Sequence, residues 1–246
     1  MSNRERIINL FHAVKQRGFV TSHRRNNTGI GKTFEDLIGV EENNIDAPDL
    51  LGYEIKSHRE DAESYVTLFT KAPSFPLRAN RQLLAAYGEI EKNGLKKLHT
   101  SMFATAGNTY RGLYSFQLEN DRGQQRILIV VRNLQTGEEI DRSTGYTYKD
   151  IENCLDRKLH NLFYVEAETE KQGEEERFYF HSADIYEEPS MERFLEMVDN
   201  GLIMYDIRMG MYGSGKNQGN PHDHGSGFRV KACNLKQLYA QHYDVE

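Results

Sequence analysis

Apolar and polar residues follow each other along this chain with two different periods. Ile7, Phe11 and Val14 recur at helical spacing and predict an amphipathic helix over 3–17. The pattern predicts further helices at 32–38, 78–92, 149–159, 190–200 and 235–242. Runs of β-branched and aromatic residues between turn signals predict strands at 50–57, 65–71, 114–118, 125–132, 138–141, 161–168, 177–185, 203–209 and 228–233. Helices and strands interspersed in this way predict a mixed α/β fold.

Size and composition are typical of a globular protein with a large core. The chain has 246 residues, of which 38% are hydrophobic and 28% charged, enough for one large domain or one domain with two lobes. The longest apolar runs, such as 127–131, are too short to cross a bilayer. Residues 1–5 lack the apolar stretch of a secretory signal. We therefore expect a cytoplasmic protein with no membrane partner.

Charge is distributed unevenly. The net charge of −6 argues mildly against a nucleic-acid partner. However, no acidic residue occurs between Glu5 and Glu35, between Glu63 and Glu89, or between 206 and 223. Because DNA binding needs a basic face rather than a basic protein, the pattern leaves room for a DNA site.

Residues 46–56 carry the most informative motif. A Pro-Asp ending at Asp49 precedes a short strand that carries Glu54 and Lys56. Residues two apart on a strand share a face, so Glu54 and Lys56 should point together while Ile55 enters the core. Asp49, at the strand entry, can bend back toward Glu54. Two carboxylates and an ammonium group would then converge.

Phosphodiester hydrolysis needs such a set. Carboxylates suit Mg²⁺, which activates water, and a nearby lysine orients that water or offsets developing charge. We expect Asp49, Glu54 and the Ile55 carbonyl as metal ligands, with Glu35 as a supporting acid. Charged residues also alternate on many solvent-exposed strands. The motif alone therefore leaves open that this is such a strand, without a catalytic role.

A second set of polar residues follows a strand and a glycine-rich loop near the C-terminus. Arginine donates two hydrogen bonds to guanine O6 and N7, and aspartate accepts one from cytosine N4, so the set suits recognition of G·C pairs. The candidate base-reading residues are Asp206, Arg208, Tyr212, His222, His224 and Arg229. A surface salt bridge between Asp206 and Arg208, and a zinc-binding pair formed by His222 and His224, are the alternatives.

Basic residues elsewhere are candidates for contacts to the DNA backbone, with a solvated surface charge as the alternative for each. They are Arg24, Arg25, Lys32 and Lys71. Residues 28–33 resemble the end of a phosphate-binding loop, but Asn26 stands where that loop requires glycine. We therefore reject nucleotide binding.

Several segments, in one order, resemble the MvaI/BcnI restriction endonuclease family, which is more distantly related to the mismatch-repair nickase MutH. The similar segments are 27–37, 44–49, 54–58, 67–73, 206–212, 214–216 and 222–229. The resemblance covers both ends of the chain and is looser over about 94–182. It implies an α/β, MutH-like PD-(D/E)xK fold, with a mixed central sheet flanked by helices and two lobes around a DNA cleft. The catalytic lobe is expected mainly at 1–160 and the recognition lobe mainly at 161–246.

The resemblance also implies an activity. A monomer would cut duplex DNA with Mg²⁺ at a CCNGG-class site, one strand at a time and after the second C. It places catalysis on Asp49, Glu54 and Lys56 with Glu35 in support, and base reading on the six residues named above. A cognate DNA methyltransferase would protect host DNA. The central pair is expected to be A·T or T·A; a CCSGG site, a partner-activated nickase and a DNA-binding module without catalysis are the alternatives.

Overall fold

The computed structural model describes residues 1–40, 50–60, 65–159 and 161–245. Within these ranges the helices are α1 (Asn3–Lys15), α2 (Gly29–Ile38), α3 (Ala79–Tyr87), α4 (Tyr148–Lys158), α5 (Met191–Asp199) and a 3-10 helix, Ala232–Leu238. The strands are β1 (Val20–Thr21), β2 (Glu54–Arg59), β3 (Tyr65–Thr70), β4 (Glu89–Ile90), β5 (Lys96–Met102), β6 (Tyr114–Asp121), β7 (Arg126–Asn133), β8 (Glu139–Thr147), β9 (Asn161–Gln172), β10 (Glu175–Pro189), β11 (Ile203–Met211), β12 (Pro221–Asp223), β13 (Gly227–Lys231) and β14 (Tyr239–Val245). The mixed α/β class is confirmed. No helix among the described residues is long and apolar enough to span a bilayer.

The chain forms two compact units from interleaved segments. The first unit comprises Met1–Ser64, Leu155–Ser190 and Lys236–Glu246, and the second comprises Tyr65–Cys154 and Met191–Leu235. The sequence analysis placed the boundary between the lobes near residue 160, whereas each unit combines segments from both sides of that residue. The assignment of one lobe to catalysis and the other to DNA recognition stays a prediction.

The first unit contains a five-stranded sheet in the order β1-β10-β9-β2, with β14 also paired to β10. β2 runs parallel to β9 at the edge of this sheet, and the other pairs are antiparallel. Helices α1 and α2 bury their apolar sides against the sheet, where the Phe34 ring lies 5.0 Å from that of Phe180. Ile55 belongs to the same core and is only 5% exposed. Because side chains alternate along β2, this burial turns Glu54 and Lys56 to the opposite face.

The second unit contains a six-stranded sheet in the order β3-β13-β11-β5-β4, with β12 paired to β11, and a three-stranded sheet β6-β7-β8. Phe228 on β13 is fully buried at the centre of an aromatic cluster. Its ring centroid lies 5.0 Å from those of Tyr146 and Tyr205 and 5.3 Å from that of Phe69. The polar side chains of β11 and β13 therefore emerge on the other face of this sheet.

Sequence analysis assigns one C-terminal segment to the wrong kind of element and misses several strands. The predicted helix over 235–242 is instead the end of the 3-10 helix followed by β14, which pairs with β10. Tertiary pairing outweighs the local preference there. Strand β5 was not predicted, although Leu98, Thr100 and Met102 alternate with exposed residues along it. That period of two was the available signal.

Gly227 allows β13 to approach β3 closely. An ideal Cβ at this position would lie 2.3 Å from the Phe69 carbonyl oxygen and 2.9 Å from the Thr70 Cα. Both neighbours are backbone atoms, so neither can turn aside. The close approach places Gly227 directly opposite Asp206 on β11.

We expect Gly227→Ala to destabilise the protein by about 1–3 kcal/mol, because the added methyl group forces two paired strands apart. The measurement is the free energy of unfolding in denaturant. Gly213→Ala is the matched control, since its Cβ would meet its nearest neighbour, Leu95 Cδ1, at 3.9 Å. Equal stabilities for the two variants would contradict this role of Gly227.

Candidate active site and DNA-reading surface

Glu54 and Lys56 come together on one face of β2, as the spacing predicts. Lys56 Nζ donates to Glu54 Oε1 at 2.9 Å, and both side chains are about one-fifth exposed. In register, Lys56 lies beside Tyr164 of the parallel strand β9. An ammonium group held against a carboxylate near solvent is a suitable arrangement for binding a charged substrate.

The structure describes only one of the other two predicted catalytic acids, Glu35. Asp49 and the preceding residues of its motif lie outside the described residues. Glu35 lies on α2 and is half-buried; the apolar side of that helix packs on the sheet that carries β2. The supporting role of Glu35 stays a prediction.

The donor set of this face is consistent with a hard divalent cation. The Glu54 carboxylate is half-buried and supplies the hard oxygen ligands that Mg²⁺ prefers. Asp49 and the Ile55 carbonyl are the other predicted ligands.

A separate group of potential metal ligands lies on β10 and β14. His242 Nε2 lies 2.7 Å from Asp184 Oδ1 and 3.3 Å from Asp244 Oδ1. Burial raises the pKa of Asp184, and His242 opposes that shift. The sequence analysis missed this group because it depends on the pairing of β14 with β10. An imidazole bridging two carboxylates accounts for it without an ion.

Arg208 is the only exposed residue of β11, whose other residues are buried apart from the half-buried Met211 at its end. Its Nε donates to Asp206 Oδ2 at 2.5 Å, and its side chain is 46% exposed. Asp206 itself is 5% exposed. The structure therefore contains the Asp206–Arg208 salt bridge that was the alternative to base reading, with the carboxylate buried and the guanidinium group exposed. Base reading by the two residues stays a prediction.

Arg229 is held by the protein. Its Nε donates to Asp206 Oδ2 at 3.0 Å, its Nη2 donates to the Gly225 carbonyl oxygen at 3.0 Å, and its Nη1 donates to Thr67 Oγ1. Burial is the first cause that lowers the pKa of its guanidinium group. Arg229 thus positions Asp206 and the loop at Gly225, and a direct contact to a base stays a prediction.

The three aromatic candidates form a row. The ring centroids of Tyr212 and His222 lie 4.4 Å apart, as do those of His222 and His224. Gly210 leaves space for His224, since an ideal Cβ there would lie 3.0 Å from its Nε2. Among the described residues, these histidines belong to no group of three potential metal ligands.

Several residues that shape this surface were missed by sequence reasoning. Ser101 Oγ donates to Asp206 Oδ1 at 3.0 Å, and Ser226 Oγ accepts from the Arg208 amide at 2.9 Å. Asp223 Oδ1 accepts from the amides of Gly225 and Ser226. These roles depend on which strands pair. The Asp-x-Gly-Ser sequence of the loop was the one local signal, because Asp side chains commonly bond to amides two residues ahead.

The same surface contains a cavity of about 560 Å³. It is lined by His99, Thr100, Ser101, Asp206, Arg208 and His224. All of these residues belong to the second unit, and four of them lie on facing positions of β5 and β11.

The predicted backbone contacts lie in both units. Arg24 and Arg25 line a surface cavity of about 930 Å³ in the first unit, together with residues of β1 and the β9–β10 turn. Lys32 Nζ pairs with Asp36 at 2.6 Å, and Lys71 Nζ pairs with Asp150 at 3.4 Å. Pairs at this exposure are weak and exchange readily for another anion. Their contacts to phosphate stay predictions.

Comparisons with known proteins agree on one family. The family model described as the MvaI/BcnI restriction endonuclease family matches residues 8–239. A solved structure entitled "Restriction endonuclease MvaI-cognate DNA substrate complex" is 33% identical, with a TM-score of 0.90 and 98% of each chain covered. Another, "Restriction endonuclease MvaI in the absence of DNA", is 34% identical, with a TM-score of 0.66, and covers 97% of this chain and 96% of that one. No curated protein matches the chain.

Proposed function

Because the chain belongs to the MvaI/BcnI restriction endonuclease family and is a type II site-specific deoxyribonuclease, we propose that it cuts duplex DNA at a CCNGG-class site. It acts as a monomer with Mg²⁺, one strand at a time, and CCWGG cut after the second C is the preferred site. The observation that carries this proposal is the surface where Asp206 holds Arg208 beside His224.

The reading surface offers the groups that a G·C-rich site requires. The exposed guanidinium of Arg208 has further N–H groups beyond the one bound to Asp206. A guanidinium fork matches the two acceptors of guanine, O6 and N7, in the major groove. Asp206 keeps the fork in one orientation, so binding loses less side-chain entropy.

Lys56 has the central role in hydrolysis. The Glu54 carboxylate holds Lys56 Nζ at 2.9 Å, so the ammonium group has a defined position on the face of β2. From there it orients the attacking water and offsets the negative charge that develops on the phosphate. Asp49, Glu54 and the Ile55 carbonyl would hold the metal, with Glu35 in support. When bound, the cation supplies positive charge to the phosphate and lowers the pKa of water.

The biological setting follows from the activity. A nuclease of this specificity requires protection of the host's own sites, so we place it in the cytoplasm beside a cognate DNA methyltransferase. Contacts to the DNA backbone, which are independent of base sequence, come from Arg24, Arg25, Lys32 and Lys71.

The first test is digestion of a plasmid with mapped CCWGG and CCSGG sites, with Mg²⁺ and with EDTA, followed by run-off sequencing of the ends. We expect cutting at CCWGG after the second C, with Mg²⁺ only, and nicked circles before linear DNA. Cutting at CCSGG alone would show that CCSGG, and not CCWGG, is the preferred site. Absence of cutting by protein that binds DNA tightly would favour a partner-activated nickase or a DNA-binding module.

Lys56→Ala should leave DNA binding nearly intact and reduce cleavage by at least about 100-fold, because the positioned ammonium group is lost. Single-turnover cleavage and a gel-shift titration measure the two effects separately. Lys149→Ala removes a lysine that is 73% exposed and paired with Glu152, and it should cleave like the wild type. Comparable cleavage by both variants would refute the role of Lys56.

Arg208→Ala should cost about 1–3 kcal/mol of discrimination at one G·C pair, because one guanidinium fork is removed. Competition between the preferred site and its single-base variants measures this quantity. Arg142 is the control, since it is 47% exposed, paired with Glu119, and lies on β8 of the same unit. Unchanged discrimination in Arg208→Ala would contradict base reading by this residue.

A further inference from the structure

His99 lies on the reading surface, although none of the predicted base-reading residues precedes β11 in the chain. It is the position of β5 directly opposite Arg208 on β11. Cross-strand neighbours point to the same face of a sheet, so the exposed imidazole of His99 lies beside the exposed guanidinium of Arg208. Both side chains line the 560 Å³ cavity.

His99 also extends the aromatic row described above. Its ring centroid lies 6.2 Å from that of His224, with the two planes at 74°. The row therefore runs from Tyr212 through His222 and His224 to His99. Both imidazoles line the cavity, with their planes nearly at a right angle.

The surroundings of His99 favour a neutral ring. Partial burial of the ring is the first cause that lowers its pKa from the ordinary value of 6.5, and the charge of Lys97 is the second. The other groups that face it are His224 and Arg208, which lower the pKa further, and Asp206, which raises it. A neutral imidazole has one donor and one acceptor, whereas a protonated one only donates. A base edge that carries both donors and acceptors is matched by the neutral form.

We propose that His99 is a further specificity-determining residue, which reads the central base pair of the site together with His224. This inference rests on the proposed function. Arg208 and Asp206 supply the guanidinium and carboxylate groups that G·C pairs require. Ser101 donates to Asp206 and Thr100 accepts from Asn108 within the protein. The two imidazoles suit a pair of different identity, since adenine presents both an acceptor and a donor in the major groove.

The experiment uses duplexes that carry the wild-type enzyme's own site with each central base pair and each outer single-base change. Wild-type cleavage of this set first tests the proposed site independently of His99. We then expect His99→Ala to lose about tenfold in discrimination at the central pair, the scale of one hydrogen bond, with outer-pair discrimination unchanged. His99→Gln, which keeps one donor and one acceptor function, should retain part of the preference.

His224→Ala should relax the same pair, and the double variant should lose less than the product of the two single effects because the rings read one base pair. His12→Ala, on α1 in the first unit, controls for loss of a histidine as such. Unchanged central-pair discrimination in His99→Ala would overturn the proposal. So would an equal loss of activity on every sequence, which is the signature of a phosphate contact.

Discussion

The Asp206 carboxylate, buried between two guanidinium groups, organises the polar face of the second unit. It accepts from Arg208, Arg229 and Ser101, which lie on three neighbouring strands. A buried charge is tolerated only when its oxygens are paired and hydrogen-bonded. Removing one partner of such a cluster typically costs about 3–5 kcal/mol, because the remaining charge stays buried. Strand order, loop position and the orientation of Arg208 are therefore coupled through one side chain.

The proposed catalytic face of the first unit depends on a simpler constraint. Ile55 enters a core built by α1, α2 and the sheet, and the alternation of β2 then turns Glu54 and Lys56 outward together. A shift of one residue in register would bury both charged groups and expose Ile55. The hydrophobic core thus determines the face on which the Glu54–Lys56 pair is displayed.

Alternation also explains how much could be predicted from sequence. The convergence of Glu54 and Lys56, and that of Asp206 and Arg208, follows from spacing within one strand and is confirmed. The contributions of Ser101, Ser226 and His99 depend on pairing between strands far apart in the chain, which local patterns do not encode. Strand β14 shows the same limit. Its local pattern predicts a helix, whereas its residues pair with β10 as a strand. Resemblance to a family carried the function further than any single motif, because Glu-x-Lys alone fits many exposed strands.

The interleaving of the two units has a consequence for how specificity can change. The chain passes from one unit to the other at four points, so no contiguous fragment contains the proposed reading surface alone. On the proposed assignment of base reading to the second unit, exchange of that unit for a foreign module would cut the chain at each of these points. On the same assignment, new recognition would arise by point changes on β5, β11 and the loop before β13, within a surface where neighbouring charges depend on one another. A change in the DNA sequence that is recognised would thus require changes within the inherited scaffold itself.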